Sequence, residues 1–136
     1  MERALFRKIN LQRHKDENGC LSVIDRLDST INFDIKRIFF VDAKKNSLRG
    51  EHSHLRCTQI IICISGMVEV TLCNPLEKDT ILLDSKSYGL LIPPGIWSSQ
   101  KYLQDDSSIA VICDQHYEES DYIRNWEEYL RRSNGV

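Results

Sequence analysis

The sequence lacks the features that direct a chain into a membrane or onto nucleic acid. No apolar run approaches the roughly 18 consecutive residues needed to span a bilayer. The 18 basic residues nearly balance the 20 acidic ones and leave a net charge of -2. A sequence pI of about 6.1 gives no basic surface for a polyanion. We therefore expect neither a membrane nor a nucleic-acid partner.

A disulfide framework and an export signal are also missing. The five cysteines are odd in number and include no C-x-x-C pair. The segment from Met1 to Lys8 has no apolar core typical of a signal peptide. We expect reduced thiols in a cytoplasmic protein. Cys63 and Cys113 lie in apolar runs and are predicted to be small core residues.

Repeats, low-complexity tracts and linkers are absent, and this argues for one domain over residues 1–136. Hydrophobic residues make up 41% of the chain and charged residues 28%, which is ordinary for a globular protein. A chain of 136 residues buries roughly two thirds of its unfolded surface. The composition therefore supports a single hydrophobic core.

Short β-forming segments separated by turns dominate the pattern. The run from Gln59 to Ile64 is apolar on both faces, which predicts a strand covered on both sides. Asp16 to Gly19 predicts a tight turn, because Asn-Gly readily takes positive φ. Many short strands indicate a sandwich or a small barrel. The predicted strands are 5–9, 20–24, 35–41, the histidine segment near 49–54, 59–64, 67–72, 80–83, 89–92, 96–100 and 108–113.

The tail departs from this all-β pattern. Its apolar residues recur at helical spacing and predict one amphipathic helix at about 121–132. Ser120 or Asp121 is a suitable N-cap. Arg131 and Arg132 lie near the C-terminus, where the helix dipole favours positive charge.

The segment containing His52 and His54 carries most of the functional information. Alternate residues of a strand point to one face, so the two imidazoles should lie side by side, just after Arg49. Such a pair can bind a metal or transfer protons. The segment resembles the first motif of the cupin barrel, in which an acidic metal ligand follows the two histidines. That resemblance disfavours a metal here, because the neutral Gln59 holds the acidic position. A second motif, which ends in Pro94-Gly95-Ile96-Trp97-Ser98, supplies no further histidine.

Taken together, these motifs resemble the sugar 3,4-ketoisomerases, small cupins that act on TDP-4-keto-6-deoxyglucose. The resemblance spans most of the chain, and its Arg-Gly-x-His-x-His and Asp-Tyr-Ile-Arg pieces are specific when found together. It implies a cupin double-stranded β-helix, or jelly roll, with a C-terminal helix. The matching segments are 35–38, 49–54, Gln59, 65–66, 83–85, 89–97 and 116–124.

The resemblance also implies partners and a pathway. It implies a homodimer, often with exchanged N-terminal strands, and no metal or other cofactor. The 3-keto product would pass to an aminotransferase, giving a 3-amino-3,6-dideoxy sugar nucleotide for a surface polysaccharide such as a lipopolysaccharide O-antigen. The chain departs from the family at Phe39-Phe40, where members commonly carry a tyrosine. Tyr102 or Tyr88 would then have to supply the hydroxyl.

Histidine acid/base chemistry suits this reaction, because moving a ketone from C4 to C3 passes through an enediol. A neutral imidazole accepts a proton and returns it near neutral pH. We predict that His52 serves the carbon-bound protons and that His54 serves the oxygens or holds the ring, although the two roles are interchangeable at this stage.

The surrounding residues are expected to bind substrate. Arg49 suits an enolate or a diphosphate oxygen, with a surface ion pair as the alternative. Arg37 resembles a position that contacts the nucleotide diphosphate. Gln59 either donates to a sugar oxygen or satisfies a buried neighbour. Trp97 either forms a wall of the pocket or packs in the core.

Three other functions stay open. A cupin-type TDP-sugar epimerase would use the same α-proton chemistry, whereas a non-catalytic cupin would only bind a nucleotide sugar. A metal-dependent dioxygenase fits least well, because of Gln59 and Trp97. The sequence alone leaves undetermined the configuration at C4 of the product, and whether the base is thymine or uracil.

Overall fold

Twelve β-strands and one α-helix build the part of the chain that the structure describes. A computed structural model describes residues 5–25, 27 and 31–134. Residues 1–4, the first part of the segment considered above as a possible signal peptide, lie outside this range. The elements are β1 (Arg7–Ile9), β2 (Gln12–Asp16), β3 (Gly19–Val23), β4 (Arg37–Ala43), β5 (Leu48–His54), β6 (Gln59–Ser65), β7 (Met67–Cys73), β8 (Lys78–Asp84), β9 (Gly89–Ile92), β10 (Trp97–Tyr102), β11 (Ser107–Cys113), β12 (Tyr122–Ile123) and α1 (Trp126–Ser133).

Two antiparallel sheets of five strands form the body of the protein. One sheet has the order β1-β9-β6-β11-β4, and the other has the order β12-β5-β10-β7-β8. The pair β2-β3 forms a separate hairpin around the predicted Asp16–Gly19 turn. Non-sequential neighbours such as β5-β10 and β6-β11 require crossovers between the sheets. This arrangement confirms the predicted all-β jelly roll.

The core lies between the two sheets and follows from strand alternation. In β7, Val68, Val70 and Leu72 are buried while the residues between them face outward. Fully burying a Val or Leu side chain contributes about 1.5–3 kcal/mol. Cys63 and Cys113 are buried in this core, as predicted.

Strand β6 is apolar on both faces because both faces are covered. Ile61 packs into the inter-sheet core, whereas Ile60 packs on the outer face with Ile9 and Leu91. Partly buried residues from the segment before β4, including Phe33, cover this outer face. The two-sided pattern of β6 is thereby explained and its prediction is confirmed.

The helix begins later than predicted. Residues 119–121 form a short 3₁₀ turn, and Tyr122–Ile123 form strand β12. Helix α1 then runs from Trp126 to Ser133, with the Asn125 side chain accepting the Glu128 N–H as its N-cap. The prediction that Ser120 or Asp121 caps the helix was wrong, because the Asp121 carboxylate is used elsewhere. Arg131 and Arg132 lie in the last turn, as predicted.

The helix is short but firmly attached. The buried Tyr129 hydroxyl donates to the carbonyl of Gly95 at 2.7 Å, which fixes α1 against the second sheet. The sequence pattern missed strand β2, whose residues are polar and mostly exposed. Among the described residues, no helix has both the length and the apolar character that crossing a membrane requires.

Candidate active site

A β-bulge in β5 sets the position of the histidines. Gly50 and Glu51 both have positive φ, at 86° and 57°. Ser99 of β10 pairs with Gly50 and Ser98 pairs with His52, so Glu51 is an extra residue in β5. Bulges bend a strand and change the direction of the side chains that follow. The bulge therefore lies directly before His52.

The two histidines lie side by side, as strand alternation predicted. Their ring centroids are 5.0 Å apart in an edge-to-face arrangement. Burial, together with the neighbouring His54 and Arg124, lowers the pKa of His52 to about 4. Burial also lowers the pKa of His54, against the opposing effect of Asp121. Both imidazoles are therefore neutral at pH 7, the form that accepts a proton.

His54 is held from behind by Asp121. Its Nδ1 lies 2.9 Å from Asp121 Oδ2, and both side chains are buried. The other carboxylate oxygen accepts the Arg56 backbone N–H at 2.6 Å. The carboxylate thus selects the tautomer with a proton on Nδ1 and fixes the ring. His54 Nε2 is buried, with no hydrogen-bond partner among the described residues.

Tyr122 covers both imidazoles from the neighbouring strand. It pairs with His54 in the ladder between β12 and β5. Its ring centroid lies 4.4 Å from that of His54 and 5.2 Å from that of His52. Its hydroxyl accepts a hydrogen bond from Arg37 Nη2 at 3.4 Å. Tyr122 therefore links three of the residues singled out from the sequence.

A cavity of about 360 Å³ opens beside His52. Its size is at the lower end of the range for small-molecule sites. The apolar wall comes from β4, β6 and β11, and the polar wall comes from β5, β10 and the tail. The lining residues are Phe39, Val41, Leu48, Arg49, Gly50, Glu51, His52, Gln59, Ile61, Gln100, Ile109, Val111, Tyr122 and Arg124. His54 does not line this histidine cavity.

Arg49 and Gln59 both reach the histidine cavity. Arg49 is exposed at its rim and makes no ion pair within the described ranges, which removes the surface ion pair considered from the sequence. Gln59 is buried, and its amide donates to Cys113 Sγ at 3.6 Å. Gln59 therefore lines the cavity and satisfies a buried neighbour at the same time.

Arg37 lies one layer behind the cavity lining. Its guanidinium donates to the Tyr122 hydroxyl and, at 3.5 Å, to Cys113 Sγ. Hydrogen bonds from Cys57, Arg37 and Gln59 lower the pKa of Cys113 to about 6. The structure thus places Arg37 against Tyr122 rather than at the open surface of the cavity.

Trp97 and Tyr102 lie away from the histidine cavity. Trp97 points to the outer face of β10, where it packs edge-on against Trp126 and beside Tyr129 of α1. Tyr102 is 0% exposed in the inter-sheet core. Because side chains alternate along β10, Trp97 faces outward, and Tyr102, although it faces inward, is enclosed by core residues. Neither side chain is among the described residues that line the cavity.

Glu119 and Arg124 brace the other side of Tyr122. Arg124 donates to both Glu119 oxygens, at 2.7 and 3.0 Å, and its guanidinium lies 4.2 Å from the Tyr122 ring centroid. Arg124 and the Tyr117 hydroxyl hold the pKa of Glu119 at about 2. The tail therefore supplies an ion pair beside Tyr122 that the predicted helix at about 121–132 did not include.

One group of described residues could approach a metal ion. Donor atoms of His54, Cys57 and Asp121, all buried, lie within 4.8 Å of one another. These donors are already engaged: Asp121 bonds His54 and the Arg56 N–H, and Cys57 bonds the Thr58 carbonyl. The hydrogen bond to Cys113, together with burial, also raises the pKa of Cys57, which opposes the thiolate form that binds metals. We therefore interpret these three residues as a hydrogen-bonded structural cluster rather than as a metal site.

The residues missed from the sequence belong mainly to the tail. Asp121, Tyr122 and Arg124 were assigned to a helix face and its cap, and Gln100 to a strand without a role. A signal was present, because Asp-Tyr-Ile-Arg had been identified as a specific piece of the resemblance. The helical spacing of the apolar residues in the tail, however, does not show that Tyr122 and Ile123 pair with the distant strand β5.

Comparisons with known proteins identify the family of the chain. Residues 5–134 match the model of the family described as FdtA: WxcM-like, C-terminal. A TDP-4-oxo-6-deoxy-alpha-D-glucose-3,4-oxoisomerase from Aneurinibacillus thermoaerophilus is 32% identical over 130 residues, which cover 93% of each chain.

Solved structures give the same result. The sugar 3,4-ketoisomerase QdtA from Thermoanaerobacterium thermosaccharolyticum, in complex with TDP, superposes with a TM-score of 0.88 at 32% identity, covering 96% of each chain. A histidine-to-asparagine variant of QdtA, in complex with TDP-4-keto-6-deoxyglucose, superposes with a TM-score of 0.89 at 30% identity, covering 98% of this chain and 97% of the other.

Proposed function

The chain belongs to the FdtA (WxcM-like, C-terminal) family, and from this premise we propose that it is a TDP-sugar 3,4-ketoisomerase. The enzyme is an isomerase that moves the ketone of TDP-4-keto-6-deoxyglucose from C4 to C3. The observation that carries this proposal is the neutral imidazole of His52 at a cavity whose rim bears Arg49, a cation with no ion-pair partner among the described residues. The names of its relatives support the same reaction.

His52 is the base in this proposal. It lines the cavity, and its lowered pKa keeps it unprotonated at pH 7, so it can remove the proton from C3, which is acidified by the adjacent carbonyl. The anionic diphosphate of a bound substrate would raise the pKa of His52 toward the reaction pH, because nearby negative charge favours the imidazolium form. The imidazolium then returns the proton to C4. His54, fixed by Asp121, holds the ring of His52 and that of Tyr122 in place.

The proposed chemistry needs no metal. Gln59 occupies the position where an acidic ligand was sought and is bonded to Cys113, and the second motif provides Trp97 and Ser98 instead of a histidine. Cations of the protein would instead stabilise the negative charge of the enediol, and Arg49 and Arg124 both line the cavity. An always-charged planar guanidinium suits an enolate or diphosphate oxygen.

Placement in a pathway follows from the product. A 3-keto-6-deoxy sugar nucleotide is a substrate for an aminotransferase, and the resulting 3-amino-3,6-dideoxy sugar would enter a surface polysaccharide such as an O-antigen. We place the reaction in the cytoplasm, where nucleotide sugars are made. The chain gives no electrostatic reason for a nucleic-acid partner, since its net charge is -2.

Proton NMR of the purified protein with TDP-4-keto-6-deoxyglucose tests the function. We expect migration of the ketone to C3, with exchange of carbon-bound protons in deuterated buffer. His52→Asn should lower turnover by at least about 10²-fold with little change in substrate binding, as expected for loss of a general base. His116→Asn, at an exposed position, is the matched control and should behave like wild type.

Four outcomes would contradict the proposal. Exchange of carbon-bound protons, or inversion at a sugar carbon, without migration of the ketone would indicate an epimerase. Substrate binding with no change in the sugar's NMR spectrum would indicate a non-catalytic cupin. Activity that disappears on chelation and returns with a stoichiometric metal would overturn the metal-free mechanism. Near-normal turnover of His52→Asn would remove His52 from the role of base.

A further inference from the structure

The proposed reaction needs a second proton-transfer group that His52 does not supply. Moving the ketone changes two carbon–hydrogen bonds and also two oxygens, since O4 gains a proton while O3 loses one. His54 was the sequence-based candidate for the oxygens. It is 6% exposed, its Nδ1 is bonded to Asp121, and it does not line the cavity. Another group must therefore face the sugar oxygens.

Few groups at the cavity can both give and accept a proton. Among the described lining residues these are His52, Glu51 and Tyr122, since the amides and guanidinium groups do not exchange protons in this way. Glu51 is the exposed bulge residue of β5. Tyr122 instead packs against His52, with ring centroids 5.2 Å apart. A substrate in contact with His52 would therefore lie beside the phenol ring.

Two arginines contact the Tyr122 side chain. Arg37 donates to its hydroxyl oxygen at 3.4 Å, which leaves the phenol O–H free to donate to a substrate. Arg124 lies over the ring at 4.2 Å from its centroid. The Tyr122 phenol is thus held between Arg37 and the Arg124–Glu119 ion pair, while Phe39 and Val41 in the cavity lining offer no competing hydroxyl.

We infer that Tyr122 is the acid/base residue for the sugar oxygens, acting with His52 on the carbon-bound protons. This inference rests on the proposed ketoisomerase function. As His52 removes the C3 proton, the Tyr122 O–H protonates O4, and a C3=C4 enediol forms. The Tyr122 phenolate then takes the O3 proton, the C3 carbonyl forms, and the His52 imidazolium protonates C4. Both side chains end in their starting protonation states.

Tyr122 supplies the active-site hydroxyl that the sequence analysis assigned to Tyr102 or Tyr88. Tyr102 was expected to replace the hydroxyl missing at Phe39, with Tyr88 as the alternative. Tyr102 is sealed in the core, and Tyr88 packs against the core with Lys8 above its ring. Tyr122, in contrast, is a lining residue of the histidine cavity and carries its hydroxyl on strand β12, beside His52.

Tyr122→Phe tests the inference, because it keeps the ring contacts to both histidines and removes only the hydroxyl. We expect kcat to fall by about 10²-fold or more, the usual effect of losing a general acid or base, with KM changed less than threefold. Tyr88→Phe is the matched control and should retain wild-type kinetics. Thermal unfolding of each variant confirms that it is folded.

A second measurement separates proton transfer from positioning. Replacing Tyr122 by a fluorinated tyrosine keeps the hydroxyl and makes the phenol more acidic. We expect activity to persist and the basic limb of the pH–kcat profile to move to lower pH, which a merely structural hydroxyl would not cause.

Tyr122→Phe turnover within threefold of wild type, or a basic limb that does not move, would overturn the role of Tyr122. Wild-type protein that leaves the ketone at C4 would instead refute the proposed function itself. The two failures are therefore distinguishable in the same set of assays.

Discussion

Arg49 is an arginine whose charge no described residue neutralises. It lies at the rim of the histidine cavity, opposite Gln100 in the β5-β10 ladder, and has no ion-pair partner in the described part of the chain. The other arginines near the site are occupied: Arg37 by Tyr122 and Cys113, and Arg124 by Glu119. An unpaired guanidinium beside a neutral imidazole is well suited to an anionic substrate or a developing enolate.

Arg49→Lys should therefore fold normally but act at least about tenfold less efficiently, because lysine keeps the charge and loses the planar pair of donors. Tenfold corresponds to about 1.4 kcal/mol, within the value of one charged hydrogen bond. If Arg49 contacts the enediol, the substitution should mainly lower kcat. If Arg49 contacts the diphosphate, it should mainly raise KM. Steady-state kinetics distinguishes these cases.

Arg132→Lys is the control for this substitution. Arg132 is bonded to Glu128 within the exposed helix α1, away from the cavity. Its replacement should leave kinetics unchanged. If Arg49→Lys keeps wild-type values of both kcat and KM, Arg49 does not bind substrate. The Arg-Gly-x-His-x-His segment is then not a single functional site.

At the scale of elements, the bulge in β5 is the feature that shapes the site. Gly50 has φ of 86°, in the left-handed region that side chains with a Cβ rarely adopt. A Cβ at this position would also lie 3.0 Å from both terminal atoms of the Gln100 amide. Glycine here therefore permits the bulge and leaves room for a buried polar side chain of the cavity.

Gly50→Ala should destabilise the protein by about 1–2 kcal/mol, the cost of a Cβ in the left-handed region, and should lower activity by displacing Gln100. Urea denaturation measures the free energy of unfolding. Gly19→Ala is the control, because nothing lies within 4 Å of its Cβ position and its φ is not in that region. We expect this control within about 0.5 kcal/mol of wild type. Equal stability of both variants would show that β5 accepts a side chain at the bulge.

At the scale of the whole molecule, the two sheets differ in what covers them. Helix α1 lies over part of the second sheet, where Tyr129 bonds Gly95. The outer face of the first sheet keeps exposed apolar side chains near its β4 edge, with Ile38 at 51% and Phe40 at 69% exposure. The β2-β3 hairpin is a separate sheet with mostly exposed residues. Both features suit a second copy of the chain.

We therefore propose a homodimer in which the hairpin and the β4 edge meet a second copy, with N-terminal strands exchanged. Sedimentation velocity should give twice the chain mass of 15.8 kDa. Phe40→Lys should shift the equilibrium toward monomer, because a buried lysine at an apolar interface is unpaired. Leu76→Lys, at a turn residue 95% exposed on another surface, should remain dimeric. A wild-type monomer at micromolar concentration would contradict the dimer.

Much of the architecture could be predicted from local pattern. Alternation in β7 and the two-sided run in β6 each reflect contacts that repeat every second residue, and the Asp16–Gly19 turn depends on its own backbone. Strand β2 was missed because its polar residues bury little and leave no periodic signal. The start of α1 was misplaced because Tyr122 and Ile123 fit a helical period equally well, although they pair with His54 and Ser53.

The sequence by itself determined the all-β class, the buried thiols and the shared face of His52 and His54, because these depend on residue type and a period of two. Only the tertiary structure decided which histidine meets the cavity. His54 is held by Asp121, which is 67 residues away in sequence. The direction of the His52 side chain is set by the bulge in β5, and this bulge is defined by the pairing of β5 with β10.

Tertiary structure likewise decided which of the aromatic side chains considered from the sequence reach the site. Tyr102 and Trp97 lie on the strand next to β5, yet one is enclosed in the core and the other lies under α1. Tyr122 reaches the histidines because β12 extends the second sheet at β5. Local sequence specifies the face of a strand, whereas the depth of a side chain and its neighbours depend on elements distant in the chain.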